Sequence, residues 1–252
     1  MSPQIPTQNP LIQFVDVHKS FEENKVLRGV DLKIYEGEIT VIIGKSGCGK
    51  SVLLKHIIGL MEQDSGQILF QGKDIATLSS NEKKAFRRNF SYMFQDNALF
   101  DSLTIAENIA LPLTEKGLFS KKEREHRVTE MMVKLELDQT AELFPAELSG
   151  GMKKRVALAR ALITEPDIIL FDEPTTGLDP IRKNKVHQMI DNYRKIFGFT
   201  GIIVSHEIPD VFEIAQKVIM LDLGKVHFEG KVADIIESKN DIVRAFLQGH
   251  TK

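Results

Sequence analysis

Residues Gly44–Ser51 read GKSGCGKS and follow the apolar run ITVII (Ile39–Ile43) directly. Few eight-residue stretches restrict a fold as tightly. The spacing is that of G-x-x-x-x-G-K-[ST], and the loop lies between a buried strand and a helix, the setting in which such a loop wraps phosphates. Its glycines let backbone N–H groups turn inward. Lys50 brings a full positive charge to the terminal phosphates, and Ser51 offers a hydroxyl to a bound Mg²⁺. The candidate nucleotide contacts are Gly44, Lys45, Ser46, Gly47, Cys48, Gly49, Lys50, Ser51 and Val52. Cys48 is the lone cysteine and is read as a small filler inside the loop, not a redox group.

Such a loop implies a parallel sheet, and the chain supplies one. Ile12–Val17, Val30–Ile34 and Ile39–Ile43 read as strands, a helix runs from Lys50 to about Leu60, and Gln67–Phe70 is a further short strand. From Asn81 to Glu165 helical signals dominate, including the charged stretch from Lys121 to Leu137. Strands return at Ile168–Asp172, Ile202–Ser205 and Val218–Leu221, with helices expected over Ile181–Phe197 and Asp210–Gln216. Continuous apolar strands alternating with helices mean a buried, mostly parallel sheet. The expected fold is α/β, with N-terminal antiparallel strands and an inserted α-helical subdomain. The expected division is a tail over 1–10, one domain over 11–240 and a C-terminal tail over 241–252 with a short helix. Within the domain, the core takes about 11–95 and 166–230, and the helical subdomain about 96–165.

Ile168–Asp172 delivers Asp172 to the end of a buried strand, followed by Glu173. Neighbours on a strand point to opposite faces, which assigns the two carboxylates different work. Asp172 suits a Mg²⁺ partner and Glu173 a general base that positions water. His206 ends the strand IIVS, and ligands in open α/β sheets bind beyond the carboxyl ends of strands. That position favours contact with a terminal phosphate.

A second phosphate-seeking feature lies at Ser149-Gly150-Gly151, directly before a run of strong helix formers. Ser149 can cap that helix, and the glycines admit another group close to the backbone. A helix N-terminus is worth only about 0.3–1 kcal/mol to an anion in water, so it completes a site rather than making one. The chain has one P-loop, already matched to one nucleotide. The economical arrangement is two copies placed head to tail, each pressing its Ser149-Gly150-Gly151 onto the nucleotide held by the other.

The set GKSGCGKS, Gln95, LSGGM, IILFDEP, TGLD and His206 resembles the ATPase subunit of ABC transporters, in the family's order and across nearly the whole chain. The resemblance implies the ABC ATPase fold, ATP and Mg²⁺ as ligands, hydrolysis to ADP and phosphate, and a separate membrane permease. It places Phe21 as the aromatic that stacks on adenine, where the plain alternative is a core phenylalanine. It makes Gln95 the Mg²⁺-sensing Q-loop residue that links to the helical subdomain, and Asp179 the D-loop residue at the dimer seam. The stretches SVLLKHIIGL, FQDNALFDSLTIAENIALPL, LSGGMKKRVALARAL and VRAFLQG are similar to the MlaF-type ATPases of bacterial phospholipid transport. That likeness implies an MlaE-like permease, an MlaD-like Mce-domain protein and an MlaB-like STAS protein as partners, at the cytoplasmic face of the inner membrane. An ABC ATPase for amino acids, metals or lipoproteins would carry the same motifs.

Formal net charge is −2, so no global basic field draws the chain to nucleic acid. This weighs against a non-transport clamp on DNA or ribosomes. The cluster Lys153-Lys154-Arg155 is read as a solvated helix face. No apolar run reaches the roughly 18 residues of a membrane span, and MSPQIPTQNP lacks a signal-peptide pattern. Lys50, Asp172, Glu173 and His206 are all present, against a module that has lost catalysis.

Overall fold

The computed structural model describes residues 9–94, 97–117 and 119–249. In chain order the elements are β1 (Ile12–Phe21), β2 (Asn24–Ile34), β3 (Ile39–Ile43), α1 (Lys50–Ile57), β4 (Ser65–Phe70), β5 (Lys73–Asp74), α2 (Ser80–Arg87) and β6 (Phe90–Met93). Then follow α3 (Ile105–Lys116), α4 (Lys121–Lys134), α5 (Gly150–Leu162), β7 (Ile168–Asp172), α6 (Pro180–Phe197) and β8 (Thr200–Ser205). The chain closes with β9 (Lys217–Asp222), β10 (Lys225–Gly230), α7 (Val232–Ile236) and α8 (Asp241–Leu247).

The strands form two sheets. The smaller runs β2-β1-β4-β5 and is antiparallel; the larger runs β10-β9-β3-β8-β7-β6 and is parallel except for the edge strand β10. Alternation along the parallel strands divides the core. Val41, Ile169, Phe171 and Ile203 face the helices, while Ile42, Leu170, Ile202 and Val204 face the cluster shared with the small sheet and α1. Both faces of the sheet are thus covered, which is why its strands read as unbroken apolar runs. Each fully buried side chain of this size contributes about 1.5–3 kcal/mol.

Between β6 and β7 lie α3, α4 and α5. Their starts are written locally. Thr104 with Glu107 and Ser120 with Glu123 form capping boxes on α3 and α4, and Ser79 with Glu82 does so on α2. Each cap is worth about 1 kcal/mol.

Two expectations change. The region from Asn81 to Glu165 is not helical throughout: Phe90–Met93 is a strand, paired parallel with β7 at the sheet edge. Asp210–Glu213 is a single 3-10 turn rather than a helix to Gln216, because Pro209 and the short span leave no room for a nucleus. The expected C-terminal helix forms as α8, and it docks on its own chain, burying Val243 and Phe246 in the main core.

Candidate nucleotide-binding site

Register gathers the motifs at one edge. Ile43 pairs with Ser205, Val204 with Asp172, and Phe171 with Met93. The carboxyl ends of β3, β7 and β8 therefore release the P-loop, Asp172–Glu173 and His206 side by side. This is the edge where open α/β sheets bind ligands.

The P-loop closes around its own lysine. Lys50 Nζ donates to the carbonyls of Gly44 at 2.8 Å and Lys45 at 3.0 Å, and the residue is buried. Gly49, at φ +109°, precedes the first residue of α1. At Gly44 a Cβ would stand 2.1 Å from the Leu221 carbonyl oxygen and 2.7 Å from Cys48 Sγ, so only glycine passes where the loop leaves β3 beside β9. Burial pushes the Cys48 thiol above its ordinary value, outweighing Lys50 nearby. It stays protonated, as a filler would.

Asp172 ends β7, and its Oδ2 accepts the Tyr92 hydroxyl at 2.6 Å. Burial, and then the Asp172 carboxylate, raise the Tyr92 phenol well above its usual range, so it remains a donor. Glu173 is separated from Asp172, though not by strand alternation. The strand ends at Asp172 and Glu173 takes a left-handed φ of +50°. For a non-glycine residue that costs about 1–2 kcal/mol. Its N–H still bonds Val204 O at 3.0 Å. Its Oε2 accepts the Thr176 hydroxyl at 2.8 Å and pairs with His206 Nδ1 at 2.8 Å. The structure thus brings His206 onto Glu173. Glu207, next in the chain, bonds Thr175 and Lys183 at 2.8 and 2.9 Å and fixes this corner to α6.

The other motif residues lie around this edge or away from it. Phe21 ends β1 with 43% of its surface exposed, so it is not a core phenylalanine. Ser149 caps α5, its Oγ accepting the Met152 N–H at 3.3 Å, as its sequence position predicts. Gly150 and Gly151 are exposed, and a Cβ on either would meet nothing within 4 Å. Among the described residues no hydrogen bond joins Ser149–Gly151 to the P-loop. Asp179 caps α6 through the Arg182 N–H at 3.0 Å and pairs with the Arg182 side chain at 3.2 Å. Gln95 lies outside the described residues.

The contacts of three residues escape a sequence reading. Lys154 is not on a solvated face: it is buried and donates to the Pro174 carbonyl, tying α5 to the turn after Glu173. Its position among Val156, Ala157 and Leu158 was the available signal, masked by Lys153 and Arg155 on either side. Arg155 pairs with Glu136. Arg160 donates to the carbonyls of Ala98 and Asn97, each at 2.7 Å.

With this geometry in hand, likeness to known proteins is informative. The ABC transporter family model matches residues 27–176. The chain is 37% identical over 243 residues to the methionine import ATP-binding protein MetN of Brucella abortus (strain 2308), a match that takes in 96% of this chain and 66% of that protein. The chain therefore spans just under two thirds of that relative's length. Among solved structures, cbiO1 of Clostridium perfringens, part of the ABC transporter complex cbiONQ, superposes with a TM-score of 0.84 at 27% identity, over 95% of this chain and 96% of that one. The ATP-binding cassette MJ0796, in a dimeric post-hydrolysis state with ADP and Pi, gives 0.74 at 35% identity, over 88% and 98%. The motifs, the fold and these matches agree: the chain belongs to the ABC transporter family and has the fold of its ATP-binding cassettes.

Proposed function

We propose that this chain is the ATP-hydrolysing subunit of an ABC transporter, acting as a head-to-tail dimer beneath a separate permease. The observation that carries the reading is the convergence of Lys50, Asp172 and the Glu173–His206 pair at one sheet edge. Lys50 and the P-loop amides hold the phosphates, and Phe21 offers an exposed aromatic face to the base. Glu173 accepts a proton from the attacking water, with His206 and Thr176 holding its carboxylate in place. Asp179 and Ser149-Gly150-Gly151 serve the seam with the second copy, and the dimeric state of the cassette MJ0796 with ADP and Pi supports a dimer.

Mg²⁺ fits the residues present. Among the described residues no three or more His, Cys, Asp or Glu side chains gather into a metal cluster. Ser51 and Asp172 instead offer oxygens beside a phosphate site, the donor set Mg²⁺ takes with its remaining waters. Gln95 completes the set in this reading. When bound, the ion neutralises charge on the phosphates.

The cassette need not touch the cargo, so its residues report the cargo only through kinship. The curated relatives favour an amino acid, since a methionine import protein is 37% identical over nearly the whole chain. The phospholipid reading, with MlaE-, MlaD- and MlaB-like partners, rests on the signature LSGGM and the three stretches similar to MlaF-type proteins, and it stands second. No helix among the described residues is long and apolar enough to cross a membrane. In either reading the chain sits peripherally on the cytoplasmic face, held by its permease.

Glu173→Gln tests the mechanism. It should bind ATP, form a stable dimer and lose hydrolysis; a wild-type turnover rate refutes the base assignment. Tagged Glu173→Gln protein purified from gently solubilised membranes with ATP then tests the cargo. An amino-acid permease among the co-purifying proteins supports the first reading; an Mce-domain partner with phospholipid supports the second. Ribosomes or DNA in place of a membrane protein would overturn both.

A further inference from the structure

The Tyr92 ring packs against the second core cluster and lies 4.5 Å from the Phe94 ring, contacts a phenylalanine would make equally well. Its hydroxyl is the addition. It reaches across from β6 to β7 and meets Asp172 Oδ2 at 2.6 Å, within the range for a hydroxyl on a carboxylate. No other side chain among the described residues bonds the Asp172 carboxylate. A half-buried carboxylate at a strand end otherwise turns about its last bond.

We infer that Tyr92 is a positioning residue for the Mg²⁺ site: its hydroxyl fixes one oxygen of Asp172 and leaves the other for the water shell of the ion. This rests on the reading of Asp172 as the carboxylate that serves Mg²⁺. Tyr92 touches neither nucleotide nor metal in this scheme. It acts through Asp172, as outer partners of metal-serving groups do.

The test uses the full chain and a fluorescent ATP analogue. The protein has no tryptophan, so the signal is read against little background. Nucleotide affinity is measured across a Mg²⁺ titration and in EDTA, for the wild type, Tyr92→Phe, Asp172→Asn and the double variant. Tyr92→Phe keeps the ring and the fold. It should raise the half-saturating Mg²⁺ concentration about tenfold and leave affinity in EDTA unchanged. The effect should vanish in the Asp172→Asn background, because the hydroxyl then has no carboxylate to hold. A Mg²⁺ titration unaltered by Tyr92→Phe overturns the inference. So does an equal loss with and without Mg²⁺, which would make Tyr92 a packing residue. A wild type that binds nucleotide with no response to Mg²⁺ refutes the reading of Asp172 itself, a failure distinct from the first two.

Discussion

Gly150 and Gly151 occupy the first turn of α5 in helical conformation, with open space where a side chain would go. Nothing in the chain's own fold asks for glycine there. Alanine lowers the entropy of the unfolded chain and favours the helix by about 0.5–1 kcal/mol per site in a helix interior. At a helix start the lower end applies, so the pair of replacements should add about 1 kcal/mol. For a chain of this size that is a rise in melting temperature of about 2–4 °C. In the head-to-tail dimer the account reverses. Each new Cβ would enter the gap between α5 and the partner's phosphates, an overpacking of about 1–3 kcal/mol. The dimer holds two such sites, so dimerisation should weaken by about 2–6 kcal/mol, about 30-fold or more. Thermal melts of the nucleotide-free protein give the first quantity. Light scattering with ATP in the Glu173→Gln background gives the second. Unimpaired dimerisation would refute the partner-facing role, and a lowered melting temperature would show that the glycines serve their own fold.

Three further outcomes follow from the geometry. Gly44→Ala places a Cβ more than 1 Å inside contact distance of the Leu221 carbonyl, so β9 or the P-loop must shift. A loss of about 1–3 kcal/mol, seen as a melting temperature lowered by about 2–12 °C, should accompany weaker nucleotide binding. Lys50→Ala removes the loop's buried cation and should weaken ATP binding about 10- to 150-fold, at about 1.5–3 kcal/mol for a charged hydrogen bond; a titration with the wild-type midpoint would refute the P-loop assignment. His187 is fully buried with neither ring nitrogen bonded. Burial lowers its proton affinity despite Asp210, Glu213 and Glu207 nearby. The unfolded chain then binds the extra proton, so stability is complete above about pH 6.5 and falls as pH drops below it. Melting temperatures from pH 7.5 to 5.5 should decline, and less steeply in His187→Leu.

The legible parts of the fold are those whose cause is local. Ile39–Ile43 and Ile168–Asp172 are each dominated by consecutive apolar residues, and both strands have the bounds the sequence predicts. Phe90–Met93 carries Ser91 and only four residues, so it looks like the helices around it until β7 pairs with it. β10 reads KVHFEG because an antiparallel edge strand is only half covered. The glycines and Lys50 of the P-loop announce themselves by spacing. The tie of Tyr92 to Asp172 spans 80 residues, and the left-handed backbone of Glu173 is imposed by the turn it enters. Neither leaves a mark that a local reading detects.

The grip of Arg160 on the carbonyls of Asn97 and Ala98 gives α5 two masters. Ten residues separate Gly150 from Arg160, about 15 Å of stiff helix. In the proposed head-to-tail pair one end of this rod would meet the neighbour's nucleotide, while the other holds Asn97 and Ala98 of its own chain. A load released at either end arrives at the other with no hinge between to absorb it. If the cassettes pair as proposed, the two nucleotide sites would respond together rather than as separate switches.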